Sequence, residues 1–133
     1  MKIKWRRVVI AAIWSELLIL LVYVPARLNE IQGRQIVTLA CFLVFPFLGA
    51  FWAVRTSDSR FLLHGILVAV ISNVIYLFVE PMVLPDVTWR GIPGTIMILL
   101  HPIKLLACGF GAYFGGRQRR KLLTSKQAAV ATR

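Results

Sequence analysis

Glu16 is the only charged residue between Arg7 and Arg27, and three other stretches of the chain are almost as bare. No Asp, Glu, Lys or Arg falls between Arg34 and Arg55 or between Arg60 and Glu80, and Lys104 alone interrupts the run from Arg90 to Arg117. An apolar stretch of about 18 or more residues is long enough to cross a bilayer as a helix. A buried strand needs only about 4–8 residues. The runs are too long and too unpatterned for strands, so they predict an all-α integral membrane protein, a bundle of four transmembrane helices. The spans fall at about residues 8–24, 36–54, 61–79 and 92–116. At 1.5 Å rise per residue their 17–22 regular residues cover about 26–33 Å, which matches a hydrocarbon core of about 30 Å. Pro25 and Glu80-Pro81 mark expected ends, and Gly91 to Gly94 reads as the entry turn of the fourth span. No Ser/Gly/Pro-rich linker divides the 133 residues, so a single transmembrane domain is expected.

The charge distribution sets the orientation. The net charge is +11, which in a soluble domain would suggest a nucleic-acid partner. Here the basic residues flank apolar runs, where they act as topology signals and attract anionic headgroups. The N-terminal segment, the loop between spans two and three, and the C-terminal segment carry Lys2, Lys4, Arg6, Arg7, Arg55, Arg60, Arg117, Arg119, Arg120, Lys121, Lys126 and Arg133; the opposite loops hold Arg27, Arg34 and Arg90. This positive-inside bias predicts both termini in the cytoplasm of a bacterial inner-membrane protein, with basic tails at 1–7 and 117–133. It opposes dual topology. Arg117, Arg119, Arg120 and Lys121 are expected on anionic lipid headgroups, and no nucleic-acid partner is expected. A cleavable signal peptide ending near Val24-Pro25-Ala26 is disfavoured by Glu16 and by the length of the run.

One internal repeat is visible. Gly49-Ala50-Phe51-Trp52-Ala53-Val54-Arg55 and Gly111-Ala112-Tyr113-Phe114-Gly115-Gly116-Arg117 close spans two and four with the same pattern. Two repeated helical hairpins would produce it. Aromatic and Arg preferences at that depth would also produce it.

The polar residues inside the spans carry any chemistry there is. Glu16, Asn73, His101 and Lys104 cost roughly 2.5–3.5 kcal/mol each on insertion scales when charged, so they need partners or a wet cavity. Measured from Arg7, Arg60 and Arg117, Glu16 stands ~14 Å along its helix, Asn73 and Lys104 ~20 Å, and His101 ~24 Å. A long lysine closes the ~6 Å gap to Glu16. Gly65, Ala69, Asn73 and Tyr76 share one face of span three, and Lys104, Ala107, Gly111 and Gly115 one face of span four. Gly65, Ala69, Gly111 and Gly115 therefore read as helix-packing positions. The expected site is a buried cluster of Glu16, Asn73, Lys104 and His101. It is either an ion pair fixing helix register or a proton or cation site. His64, ~6 Å from the edge, reads as interfacial. Pro46 and Pro102 each remove a helix hydrogen bond. Span two, apolar apart from Thr38, reads as a packing wall.

Four short spans with a glutamate midway through the first resemble the small multidrug resistance transporters. The resemblance covers one position, Glu16, and implies proton exchange for cationic drugs there. Span three lacks that family's Trp/Tyr-rich pattern, and Lys104 would repel a cationic substrate, so the chain is not assigned to it.

No metal-ligand spacing, nucleophile motif or phosphate loop is present. No enzyme, cofactor or metal is expected. Cys41 and Cys108 read as small apolar residues between helices. The function expected is that of a membrane-embedded interaction or accessory protein, packing on a second copy or a larger complex. The alternative is a small proton- or cation-coupled transporter or channel.

Overall fold

The computed structural model describes residues 3–28, 33–55, 57, 60–83 and 94–131. Four helices follow one another: α1 Trp5–Leu28, α2 Arg34–Val54, α3 Phe61–Val83 and α4 Gly94–Ala131. No strand occurs among the described residues. Three helices contain segments long and apolar enough to cross a membrane, Trp5–Ala26, Gln35–Val54 and Phe61–Val79. The chain is a membrane protein with a helical-bundle fold. The expected entry turn before α4 lies outside the described residues.

Packing follows residue size. α4 makes its most extensive contact with α2, and α1 packs on α2 and α3. α2 and α3 also touch, whereas α1 and α4 have no close backbone approach among the described residues. α2 and α3 thus occupy the short diagonal of the bundle, and α1 and α4 face each other across the long one. Small residues set these distances. A Cβ on Gly111 would collide with the carbonyl oxygen of Phe47, and one on Gly115 would stand 2.8 Å from that of Phe51, so α4 lies against the backbone of α2. A Cβ on Gly65 would stand 2.7 Å from the carbonyl oxygen of Cys108, which brings α3 equally close to α4. Ala69 is buried beside Cys108 in the same core layer. The four predicted packing positions are therefore used inside one chain.

The core has two layers of different character. One is built of small side chains, including Ala11, Ala12, Ala50, Ala53, Ala69 and Cys108. The other is larger and aromatic, with Ile19, Tyr23, Phe42, Tyr76 and Leu100. Between them, one helical turn from each, lie Glu16, Ser72 and Lys104. The exposed side chains are the converse: Leu21, Ile36, Phe78 and Phe110 point outward, at 72%, 75%, 68% and 60% exposure. Lys104 is fully buried and Glu16 is 2% exposed. Apolar surface outside and charge inside is the arrangement a hydrocarbon solvent selects.

Two helix ends differ from expectation. α1 continues through Pro25 to Leu28, and Ala26 stays buried. Proline there removes one donor, while unwinding the last turn would expose several carbonyls with no water to receive them. α3 likewise runs past residue 79 to Val83. The basic segment after Gly116 is not a loose tail but stays helical to Ala131, as its Arg, Lys, Leu, Gln and Ala content favours.

Candidate functional site

Glu16 and Lys104 meet. The Nζ of Lys104 donates to Oε1 of Glu16 in a buried ion pair. The Ser72 hydroxyl donates to the same oxygen. The pair joins α1 to α4, the two helices that do not touch through their backbones, so it spans the long diagonal. Lysine length makes this possible, as the difference in helix height suggests.

The lysine is walled by rings. Its Nζ lies 5.2 Å from the centroid of Phe42 and 5.1 Å from that of Tyr76. The two rings meet edge to face at 5.4 Å, and Tyr23 packs edge to face on Phe42 at 6.4 Å. A cation close to an aromatic face is attracted by its quadrupole, more strongly where water is absent. The ammonium thus has a carboxylate and two ring faces for partners. Glu16 Oε2 is buried and has no hydrogen-bond partner among the described residues.

Asn73 and His101 form an adjoining pair instead of joining Glu16. His101 Nδ1–H donates to Asn73 Oδ1 at 3.1 Å, and its ring packs edge to face on Tyr76 at 5.6 Å. Tyr76 is the shared wall, touching His101 on one side and Lys104 on the other. The four predicted residues therefore fall into two neighbouring pairs. Residue 73 is adjacent to Ser72 but points about 100° around the helix, and it is Ser72 that faces Glu16.

Sequence reasoning missed Ser72 and Phe42 as members of the site. Height would have found both. Ser72 stands ~18 Å from Arg60 and Phe42 ~20 Å from Arg55, level with Lys104. Helix α2 is therefore more than a packing wall: it supplies one of the lysine's two rings. It also supplies carbonyls. Ser15 Oγ donates to the carbonyls of Ala11 at 2.8 Å and Phe45 at 3.3 Å, and the Cys108 thiol donates to that of Pro46 at 3.4 Å. Cys108 is thus a small interhelical residue, as expected, and a donor as well.

His64, near the edge as its position along α3 suggests, is not an exposed residue. The ring is buried. Nδ1–H donates to the carbonyl of Arg60 at 2.9 Å, which leaves Nε2 as acceptor for the Lys4 backbone N–H and the Ser57 hydroxyl, both at 3.3 Å. One imidazole thus ties the segment before α1 and the α2–α3 connection to α3. Arg60 takes a left-handed conformation, φ 53°, and its carbonyl also accepts the His64 backbone N–H at 3.1 Å.

The predicted headgroup residues divide. Arg117 and Lys121 are exposed and Arg119 is half-buried. The Arg120 guanidinium lies 5.3 Å over the Phe61 ring. No group of three or more His, Cys, Asp or Glu that could hold a metal occurs among the described residues. Comparison with known protein families, curated proteins and solved structures finds no match to this chain.

Proposed function

We propose that this chain is a four-span protein of the bacterial inner membrane, with both termini cytoplasmic, and that it works as a non-catalytic interaction or accessory protein. The observation that carries this reading is the burial of the ion pair: the side chains of Lys104 and Glu16 are 0% and 3% exposed. A transport carboxylate must alternate between partners and meet water from at least one side. Here the charge is matched by a lysine of the same chain. The role that fits is to fix the register of α1 against α4. The positive-inside bias and the ~25 residues from 92 to 116, at 1.5 Å each, support a fourth crossing by α4.

The outward apolar faces of the helices are the surface left for a partner, because Gly65, Gly111 and Gly115 are already used within the chain. Reconstitution into liposomes with an imposed pH gradient tests the reading. The expected proton flux equals that of empty liposomes, while Glu16→Gln lowers the midpoint of detergent unfolding. Flux that the wild type supports and Glu16→Gln abolishes would return the site to transport.

A further inference from the structure

The groove between the start of α3 and the middle of α4 has two chemically different ends. Towards the α2–α3 connection it is a cavity of ≈ 500 Å³ bordered by Arg60, Arg117 and Arg120, with Phe61 and Tyr113 as walls. All three arginines are exposed, and among the described residues no acidic side chain lines the cavity. A second cavity, of ≈ 440 Å³, shares Leu62 and Tyr113 with the first and continues along the same two helices. Its other walls include Ile66, Leu105, Leu106 and Phe110. From Arg117 to Leu105 the helix rises ~18 Å, close to one leaflet's share of a hydrocarbon core of about 30 Å.

Gly109 also lines the apolar part. A Cβ built on it meets nothing within 4 Å. Unlike Gly65, Gly111, Gly115 and Gly116, it is not required by a neighbouring helix. Its effect is to leave the groove open where a side chain would otherwise stand.

We propose that this groove binds one anionic diacyl phospholipid, with its phosphate among Arg60, Arg117 and Arg120 and an acyl chain along the apolar continuation. The proposal rests on the bilayer reading above, which puts the Arg60 end at headgroup depth. Guanidinium groups match phosphate oxygens with paired donors. Arg120 is held close by, its guanidinium stacked over Phe61. Tyr113 stands at the junction of the two cavities, the depth at which amphipathic rings settle in a bilayer. A soluble anion would use the basic end alone. The apolar extension selects a ligand with a hydrocarbon chain. Diffuse attraction of a basic tail to the membrane depends on total charge, whereas this site depends on which charges are removed.

Native mass spectrometry of delipidated protein in a non-ionic detergent, mixed with phosphatidylglycerol or phosphatidylcholine, tests the site. The wild type is expected to retain one phosphatidylglycerol far more strongly than phosphatidylcholine. Arg117→Gln with Arg120→Gln should weaken the anionic lipid by about 30-fold, two charges each counting at the level typical of an anionic surface. Arg55→Gln with Lys121→Gln removes the same charge outside the groove and should leave retention near wild type. Gly109→Leu places a side chain in the groove from a position whose Cβ has open space and should displace the lipid with all arginines present. Equal retention of the two lipids, equal loss in the two charge-matched variants, or full retention by Gly109→Leu would overturn the proposal. Alkaline carbonate extraction of cell membranes separates this from failure of the bilayer reading: extraction of the chain removes that reading, whereas a membrane-retained chain with no lipid preference removes the groove alone.

Discussion

The ion pair at mid-bundle and the histidine clasp beside Arg60 both tie distant segments together through polar atoms, yet they differ in charge and in depth. At mid-bundle, Lys104 and Glu16 lose their water and replace it with each other, a serine hydroxyl and two ring faces. At the clasp, a neutral imidazole joins a backbone N–H, a hydroxyl and a carbonyl. Removing one partner of a buried charge strands the other, whereas removing a neutral hydrogen-bonding group leaves weaker demands behind. The difference teaches where this bundle can be broken: its most vulnerable point is the one that looks most firmly bonded.

The largest effect is expected from Lys104→Met. It leaves the Glu16 carboxylate without its cation and should cost about 3–5 kcal/mol, read as a lowered midpoint in denaturing-detergent titration. If the loss is no larger than for an exposed residue such as Lys121→Met, the pair is not the keystone of the bundle.

Gly111→Val comes next. The added carbons meet the Phe47 backbone, which cannot swing aside as a side chain would. A loss of about 1–3 kcal/mol is expected from such overpacking, with α2 and α4 forced apart in crosslinking between introduced cysteines. Gly109→Val, on the same helix with open space at its Cβ, should change stability by well under half of that. Equal effects would mean that the α2–α4 contact is looser than described.

His64→Ala should cost on the order of 1–2 kcal/mol, since it deletes neutral bonds to the Lys4 amide, the Ser57 hydroxyl and the Arg60 carbonyl. Hydrogen exchange at the Lys4 amide should rise while Lys104 and its neighbours stay protected. Arg60→Gly is the smallest change. It removes a left-handed arginine and substitutes the residue that takes this conformation without steric cost, so a gain of no more than about 1 kcal/mol is expected. A clear loss of stability would show that the Arg60 side chain contributes more than its backbone conformation costs.

The helices and the ion pair were legible in the sequence for one reason each. Uncharged runs longer than any strand leave helix as the only way to satisfy the backbone in lipid. Two charges of opposite sign near the same height, on faces already marked by small residues, had few other partners to reach. The rest was hidden because heights locate residues along a helix and not around the bundle. Asn73 and His101 stand near the right level but face each other, while Ser72 and Phe42, unremarkable in type, face the charges. His64 was hidden differently. Two of its partners are a backbone N–H and a backbone carbonyl, and these carry no signal in residue type. Pro25 alone signals a stop, yet the helix continues because Ala26 beyond it still packs in the core.

The central claim is that Glu16 and Lys104 serve each other and hold α1 to α4. A double-mutant cycle of Glu16→Gln and Lys104→Met, followed by denaturing-detergent unfolding in mixed micelles, measures that directly. The expected result is that each single change is strongly destabilising and that the double variant loses clearly less than the sum of the two, with a coupling of about 2–3 kcal/mol. Additive losses in the double variant would contradict it.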